Sequence, residues 1–120
     1  MFPIKNSDKL IFVNIKNSYE AMMNNDKNHE LFRENLYECT RKYWKIADEK
    51  AYNGTHILGC YKGKVVEVIQ IDNVHKVEDG NLMGRKIFEG KEIPDSIYMN
   101  LDLHDIFATL ANFNVKYWNL

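Results

Sequence analysis

Cysteine, net charge and long apolar runs are all scarce in this chain, and each scarcity removes a class of protein. Two cysteines in 120 residues, Cys39 and Cys60, could pair at most once, so no disulfide framework is possible and a reducing compartment suits the composition. Neither has a C-x-x-C partner, and each reads as a small buried residue. The four histidines, His29, His56, His75 and His104, are 27, 19 and 29 residues apart, which is neither helical nor zinc-finger spacing. No metal or cofactor is therefore expected. No stretch approaches the roughly 20 apolar residues of a membrane span. The opening MFPIKNSDKLIFVNI carries Lys5, Asp8 and Lys9 where a secretory segment needs an uninterrupted apolar core. The expectation is a cytoplasmic protein with no membrane partner. Sixteen Lys plus Arg stand against 17 Asp plus Glu, a net charge of −1, which excludes a histone-like polycation and leaves any case for nucleic acid to local charge. A nucleophile elbow, a phosphate-binding glycine loop and a dinucleotide fingerprint are all missing, as are repeats and low-complexity tracts.

What remains is ordinary globular material: 45% hydrophobic and 28% charged residues, enough for one core in a single domain over residues 1–120. Leu10–Ile15 is a β-branched and aromatic run that predicts a strand. Phe32, Leu36, Cys39 and Tyr43 fall at helical spacing and predict a helix over 29–45, capped by Asp26 or Asn28, with Glu38 placed to pair with Lys42. Segments 55–61 and 64–71, separated only by Lys62 and Gly63, predict a hairpin whose second strand is central and continues through Val74–Val77. Arg85–Phe88, bracketed by Gly84 and Gly90, predicts another strand. Pro94 suits the start of a helix over 95–99, and Asp102 can cap a second running to about Ala111, with Leu103, Ile106, Phe107 and Leu110 on one face. Val115–Trp118 closes the chain as a strand. The order is α+β.

Chemistry concentrates in residues 41–64, where Arg41, Lys42, Lys45, Lys50, Lys62 and Lys64 face only Asp48 and Glu49, a local charge of +4. Tyr43, Trp44, Tyr52 and Tyr61 are interleaved with these cations. Cations neutralise phosphates and flat rings stack bases, each stacked base contributing about 1–3 kcal/mol. The competing interpretation is that Tyr43 and Trp44 are core and the lysines solvate a helix end. Arg85, on glycine-flanked backbone, is a second cation able to reach an anion. A metal-dependent nuclease would need acids on adjacent strands; Asp72 or Asp79 followed by Glu89-Gly90-Lys91 has that order in sequence, although the last three residues run into a glycine turn.

The stretch LYECTRKYWKIADEKAYNGTHILGCYKGKVVEVIQI, then GRKIFEG, then VKYWN resembles the PUA-like superfamily, which includes ASCH and EVE domains, over about residues 36–119. The resemblance implies a small pseudo-barrel of about five to six strands with two or three covering helices, in a bacterial or phage protein that binds RNA, DNA or modified bases without catalysis. Its ligand-binding positions carry over to Arg41 and Trp44 at the helix exit, Lys62 at the hairpin turn and Arg85; Tyr43 and Tyr61 join them from the aromatic count, and Tyr117 and Asn119 match the terminal motif. Three functions follow in order. The first is a non-enzymatic nucleic-acid or nucleotide-binding module. The second is a phage or mobile-element protein-binding module that inhibits a host enzyme, meeting a basic partner through the acidic C-terminal third, where Glu89, Glu92, Asp95, Asp102 and Asp105 outnumber Lys91 and Lys116. The third is a weak metal-dependent nuclease.

Overall fold

Four consecutive apolar residues, Leu10, Ile11, Phe12 and Val13, are all fully buried, which a strand allows only if both faces of its sheet are covered. The structure, a computed structural model, describes residues 4–110 and 113–120. Strand β1 (Leu10–Asn14) is followed at once by α1 (Lys16–Met23), α2 (Leu36–Arg41) and α3 (Asp48–Asn53), and then by β2 (His56–Tyr61), β3 (Lys64–Lys76), β4 (Lys86–Glu92) and β5 (Val115–Trp118). The sheet order is β4-β3-β2-β1-β5. β1 and β2 run parallel, joined by the crossover that contains all three helices, and every other pairing is antiparallel. Among the described residues β4 and β5 do not pair, so the hydrogen-bonded sheet is open. The α+β class holds, with five strands and three α-helices among the described residues.

Alternation along β1 divides the core in two. Ile11, Val13 and Ile15 point to the layer of Cys39, Ile46, Ala51, Ile57, Ile69 and Phe88, beneath the helices. Leu10 and Phe12 point the other way, to Leu58, Cys60, Val65, Val68, Tyr98, Leu103 and Ile106. Cys39 and Cys60 thus lie on opposite faces of the sheet, both buried and unpaired. Burial pushes both thiols up, so they act as small apolar residues. No helix among the described residues is long and apolar enough to cross a membrane.

The hairpin at Lys62-Gly63 forms as its sequence predicts, with both residues at positive φ, 51° and 80°, the geometry of a tight two-residue turn. β3 continues through Asp72 and Asn73, where a register shift bends it, and beyond Gln70 it pairs with β4 alone. Residues 73–76 and 86–89 therefore make a two-stranded arm, closed at its tip by Gly84 N–H to Val77 O at 2.8 Å. Gly90 does not end β4. The strand runs through it because a Cβ there would lie 1.8 Å from the Gln70 carbonyl oxygen, a distance no side chain permits.

The helices depart from expectation. The predicted helix over 29–45 is reduced to Leu36–Arg41, because Asn35, and neither Asp26 nor Asn28, accepts the Glu38 N–H at 2.9 Å and starts it there; residues 24–33 make successive turns. Glu38 does pair with Lys42, at 2.7 Å, and also with Arg41. Residues 95–99 form turns, not a helix. Asp102 caps a 3-10 turn, Leu103–Asp105, and not a longer helix; Ala111 lies outside the described residues. The apolar face assigned there is real without the helix, since Leu103 and Ile106 are buried and Phe107 and Leu110 pack on the same cluster.

Candidate nucleic-acid interface

The connection from α2 to α3 is fixed to the arm by a buried lysine. Lys86, 3% exposed, donates to Ile46 O at 2.8 Å and Gly84 O at 3.3 Å and pairs with Asp48 at 2.9 Å. Hydrogen bonds from Lys76 and Lys86 hold the Asp48 carboxyl below the usual range. Backbone bonds in both directions between Trp44 and Lys86 dock residues 43–45 along β4. The Trp44 indole N–H donates to Thr40 O at 2.7 Å, which sets the ring's orientation and leaves it half-buried.

This docking forms one wall of a cleft of about 1010 Å³ at the end of the sheet where β1 passes into α1. Lys16, Asn17 and Ser18 of α1, Glu30, Leu31 and Arg33 of the turn region, Lys42–Lys45, Asn81, Leu82 and Arg85 of the loop at the arm's tip, Asn114, and Val115 and Tyr117 of β5 contribute to its lining. Five cations, Lys16, Arg33, Lys42, Lys45 and Arg85, stand against the single acid Glu30. α1 begins there with no acid in its first turn, and of its first N–H groups the Lys16 N–H is accepted by the neutral Asn14 Oδ1 at 3.1 Å, so its positive end adds to the field. Tyr43 is the centre of the wall: Arg33 lies 5.7 Å and Lys42 5.6 Å from its ring centre, and Arg85 donates to its carbonyl at 3.3 Å. Lys50 stands 4.5 Å from the ring centre of Tyr117. The chemistry on offer is anion neutralisation beside partly exposed aromatic rings.

Of the six positions expected from sequence, Tyr43, Trp44 and Arg85 come together in this cleft. Arg41, Tyr61 and Lys62 do not. Arg41 is turned away onto Glu38, Phe88 O and the Tyr37 ring. Tyr61 stacks on Tyr19, with ring centres 4.3 Å apart, and donates to Glu20 at 2.8 Å, a bond that raises the phenol. Lys62 lies at the hairpin turn, 5.3 Å from the Tyr61 ring. Sequence reasoning missed Lys16 and Arg33. Lys16 follows a strand almost directly, behind Ile15, which is no capping residue, and Arg33 falls in the part of the predicted helix over 29–45 that does not form.

The acids of the last third lie elsewhere. Glu89 is engaged by His75 across the arm, and Asp102 by His104 at 2.9 Å. No group of three His, Cys, Asp or Glu among the described residues is placed to hold a metal ion. Compared with protein-family models, with curated proteins and with solved structures, the chain matches none of them.

Proposed function

We propose that this protein is a non-enzymatic nucleic-acid or nucleotide-binding module and that the cleft at the start of α1 is its site. The observation that carries the reading is the convergence of five cations, one acid and three aromatic residues from five separate stretches of chain on one concavity. Its volume stands at the top of the roughly 300–1,000 Å³ range of small-molecule pockets, room for more than one nucleotide unit. Phosphates meet Lys16, Arg33, Lys45 and Arg85, and a base stacks against Trp44. The PUA-like resemblance belongs to this reading, with β4 and β5 as the separated edges of a half-closed barrel and the modified-base class among the ligands.

The test is fluorescence anisotropy with a fluorescein-labelled dodecathymidylate or dodecauridylate over a salt series. Each phosphate neutralised contributes about −0.7 to the slope of log K against log salt for a single strand. Lys45→Gln with Arg85→Gln should make that slope shallower by about 1.4. Trp44→Leu should instead cost about 1–3 kcal/mol of binding and leave the slope unchanged. Binding that ignores salt and tolerates both variants, with the fold intact, would remove this site.

The second reading, a protein-binding module that inhibits a host enzyme, has one observation of its own. Ile97 is 59% exposed on the segment that carries Asp95, Asp102 and Asp105, an apolar contact set among acids. A basic host protein retained after nuclease treatment, and released by Ile97→Asp, would support it. The third, nuclease, reading is settled by incubation with plasmid and Mg²⁺ or Mn²⁺.

A further inference from the structure

The cations of the cleft are not spread evenly along it. Lys16 and Lys45 are exposed, whereas Arg33, Lys42 and Arg85 are partly buried and all three are held at one residue, Tyr43. The Arg33 guanidinium and the Lys42 ammonium lie 5.7 Å and 5.6 Å from its ring centre, so the two charges are no further apart than those distances together allow. Arg85 Nη1 donates to the Tyr43 carbonyl at 3.3 Å. Little on the protein neutralises the group. Arg33 Nη1 donates to the carbonyls of Phe32 and Glu30, at 2.9 Å and 3.4 Å, and its buried Nε has no partner. Lys42 pairs with Glu38 at 2.7 Å, but Arg41 shares that carboxylate. The next residue along the wall is Trp44, its indole fixed by Thr40 O.

We propose that the cleft takes a nucleoside 5′-polyphosphate, with the polyphosphate on the cations around Tyr43 and the base on Trp44, whether that group is a free nucleotide or the 5′ end of a strand. The inference rests on the nucleic-acid or nucleotide reading above and adds to it the chemical class of the ligand. An internal phosphodiester carries one negative charge per nucleotide, and a run of them is matched by cations in a row. A terminal phosphate carries about −1.5 to −2 at pH 7, and every phosphate added to it brings further charge to the same place. Three cations gathered at one ring, next to one stacking surface, match the second distribution. Two of the three are arginines, whose planar forks pair with phosphate oxygens two at a time, and their tethered stems lose little freedom in doing so. Lys16 and Lys45, exposed on the same lining, are left for the phosphodiesters that follow when the ligand is a strand.

The experiment compares three 3′-fluorescein-labelled dodecauridylates, ending 5′ in a hydroxyl, a monophosphate or a triphosphate, on the full chain and on the Arg33→Gln, Arg85→Gln and Lys45→Gln variants. At about 0.15 M salt the triphosphate strand should bind at least about tenfold more tightly than the hydroxyl strand, with the monophosphate between them. Arg33→Gln, and separately Arg85→Gln, should each bring that ratio to within about threefold. Lys45→Gln should weaken all three strands alike and leave the ratio unchanged, which separates a fixed polyphosphate site from general attraction to extra charge. Displacement of the triphosphate strand by unlabelled UTP assigns the free nucleotide as a ligand; a preference that UTP does not disturb assigns the strand end. Equal affinity for the three strands, a preference that survives both arginine variants, or one that falls as far with Lys45→Gln, overturns the inference and leaves the cleft as a nucleic-acid site. Failure of every probe to bind overturns the nucleic-acid reading itself, and this inference with it.

Discussion

Replacing Lys86 with alanine is expected to cost about 3 kcal/mol and to lower the melting temperature by about 10 °C. The side chain is 3% exposed, and its ammonium has three acceptors, Ile46 O, Gly84 O and Asp48. The three do not suffer equally. Asp48 is more than half exposed and keeps Lys76 at 2.7 Å, and Gly84 is exposed enough for water to replace the bond. Ile46 is buried, so its carbonyl is the group left without a partner, at about 1–3 kcal/mol. Loss of the packed alkyl stem accounts for the remainder. Lys86→Met separates the two contributions: it restores the stem and not the bonds, and should recover about half the loss. Because Trp44 is bonded to the backbone of residue 86, both variants should also weaken oligonucleotide binding. A methionine variant as stable as the wild type would show that the polar contacts add nothing to the wall. Thermal unfolding followed by circular dichroism reads all three proteins.

The second large effect is a dependence on pH set by one buried carboxyl. Glu67 is 4% exposed, on the helix-side face of β3. One carboxyl oxygen accepts the Val68 N–H at 3.0 Å and the other, buried, has no partner. Burial and then the neighbouring Glu92 carboxyl push its pKa from 4.5 up to about 8. The folded state therefore holds a proton that the unfolded chain releases. The resulting stabilisation is fully present below about pH 4.5, declines as pH rises, and is gone above about pH 8. Its size is of order 3–5 kcal/mol. Glu67→Gln stays neutral throughout, keeps an oxygen for Val68 N–H, and offers Glu92 a donor. Its denaturant midpoint should be nearly flat between pH 5 and 9 where the wild type falls, and it should be the more stable protein at pH 8. Parallel curves for the two would refute this account of Glu67. The helix packed over this face, α2, leads directly into Lys42–Lys45.

How far the sequence was legible differs between the sheet and everything packed on it. Strand signals are local: Leu10–Val13 is continuously apolar because β1 is covered on both faces, and Lys62-Gly63 sits between two β-rich runs. Both features predict their elements directly. The helices are short and depend on tertiary cover. α1 starts behind Ile15, an apolar residue that cannot cap it, so Asn17 and Ser18 read as the end of a strand. α3 buries only Ala51 and shows no apolar stripe. Between 24 and 35 the helical spacing of Phe32 with Leu36 was outcompeted by the local turns and by the Asn35 cap. In the last third the spacing of Leu103, Ile106, Phe107 and Leu110 found the buried face and misjudged the backbone that presents it.

The site divides the same way. Tyr43, Trp44 and Arg85 were identifiable because cations and aromatics are adjacent in sequence there. Lys16 and Arg33 join them only through the crossover, which brings the end of β1 and the turn region against the α2 exit. Arg41 shows the reverse: one helical turn from Trp44 in sequence, it is rotated toward Glu38 and Phe88 O and away from the cleft.

The most direct test is to titrate isotopically labelled protein with dodecathymidylate or dodecauridylate and follow backbone amide shifts by NMR. The account predicts that the perturbed amides cluster at residues 16–18, 31–33, 42–45, 81–85 and 114–117, and that the hairpin turn at Lys62 and the segment 93–105 stay still. Shifts confined to that turn or to the acidic segment, with the cleft unperturbed, would contradict it.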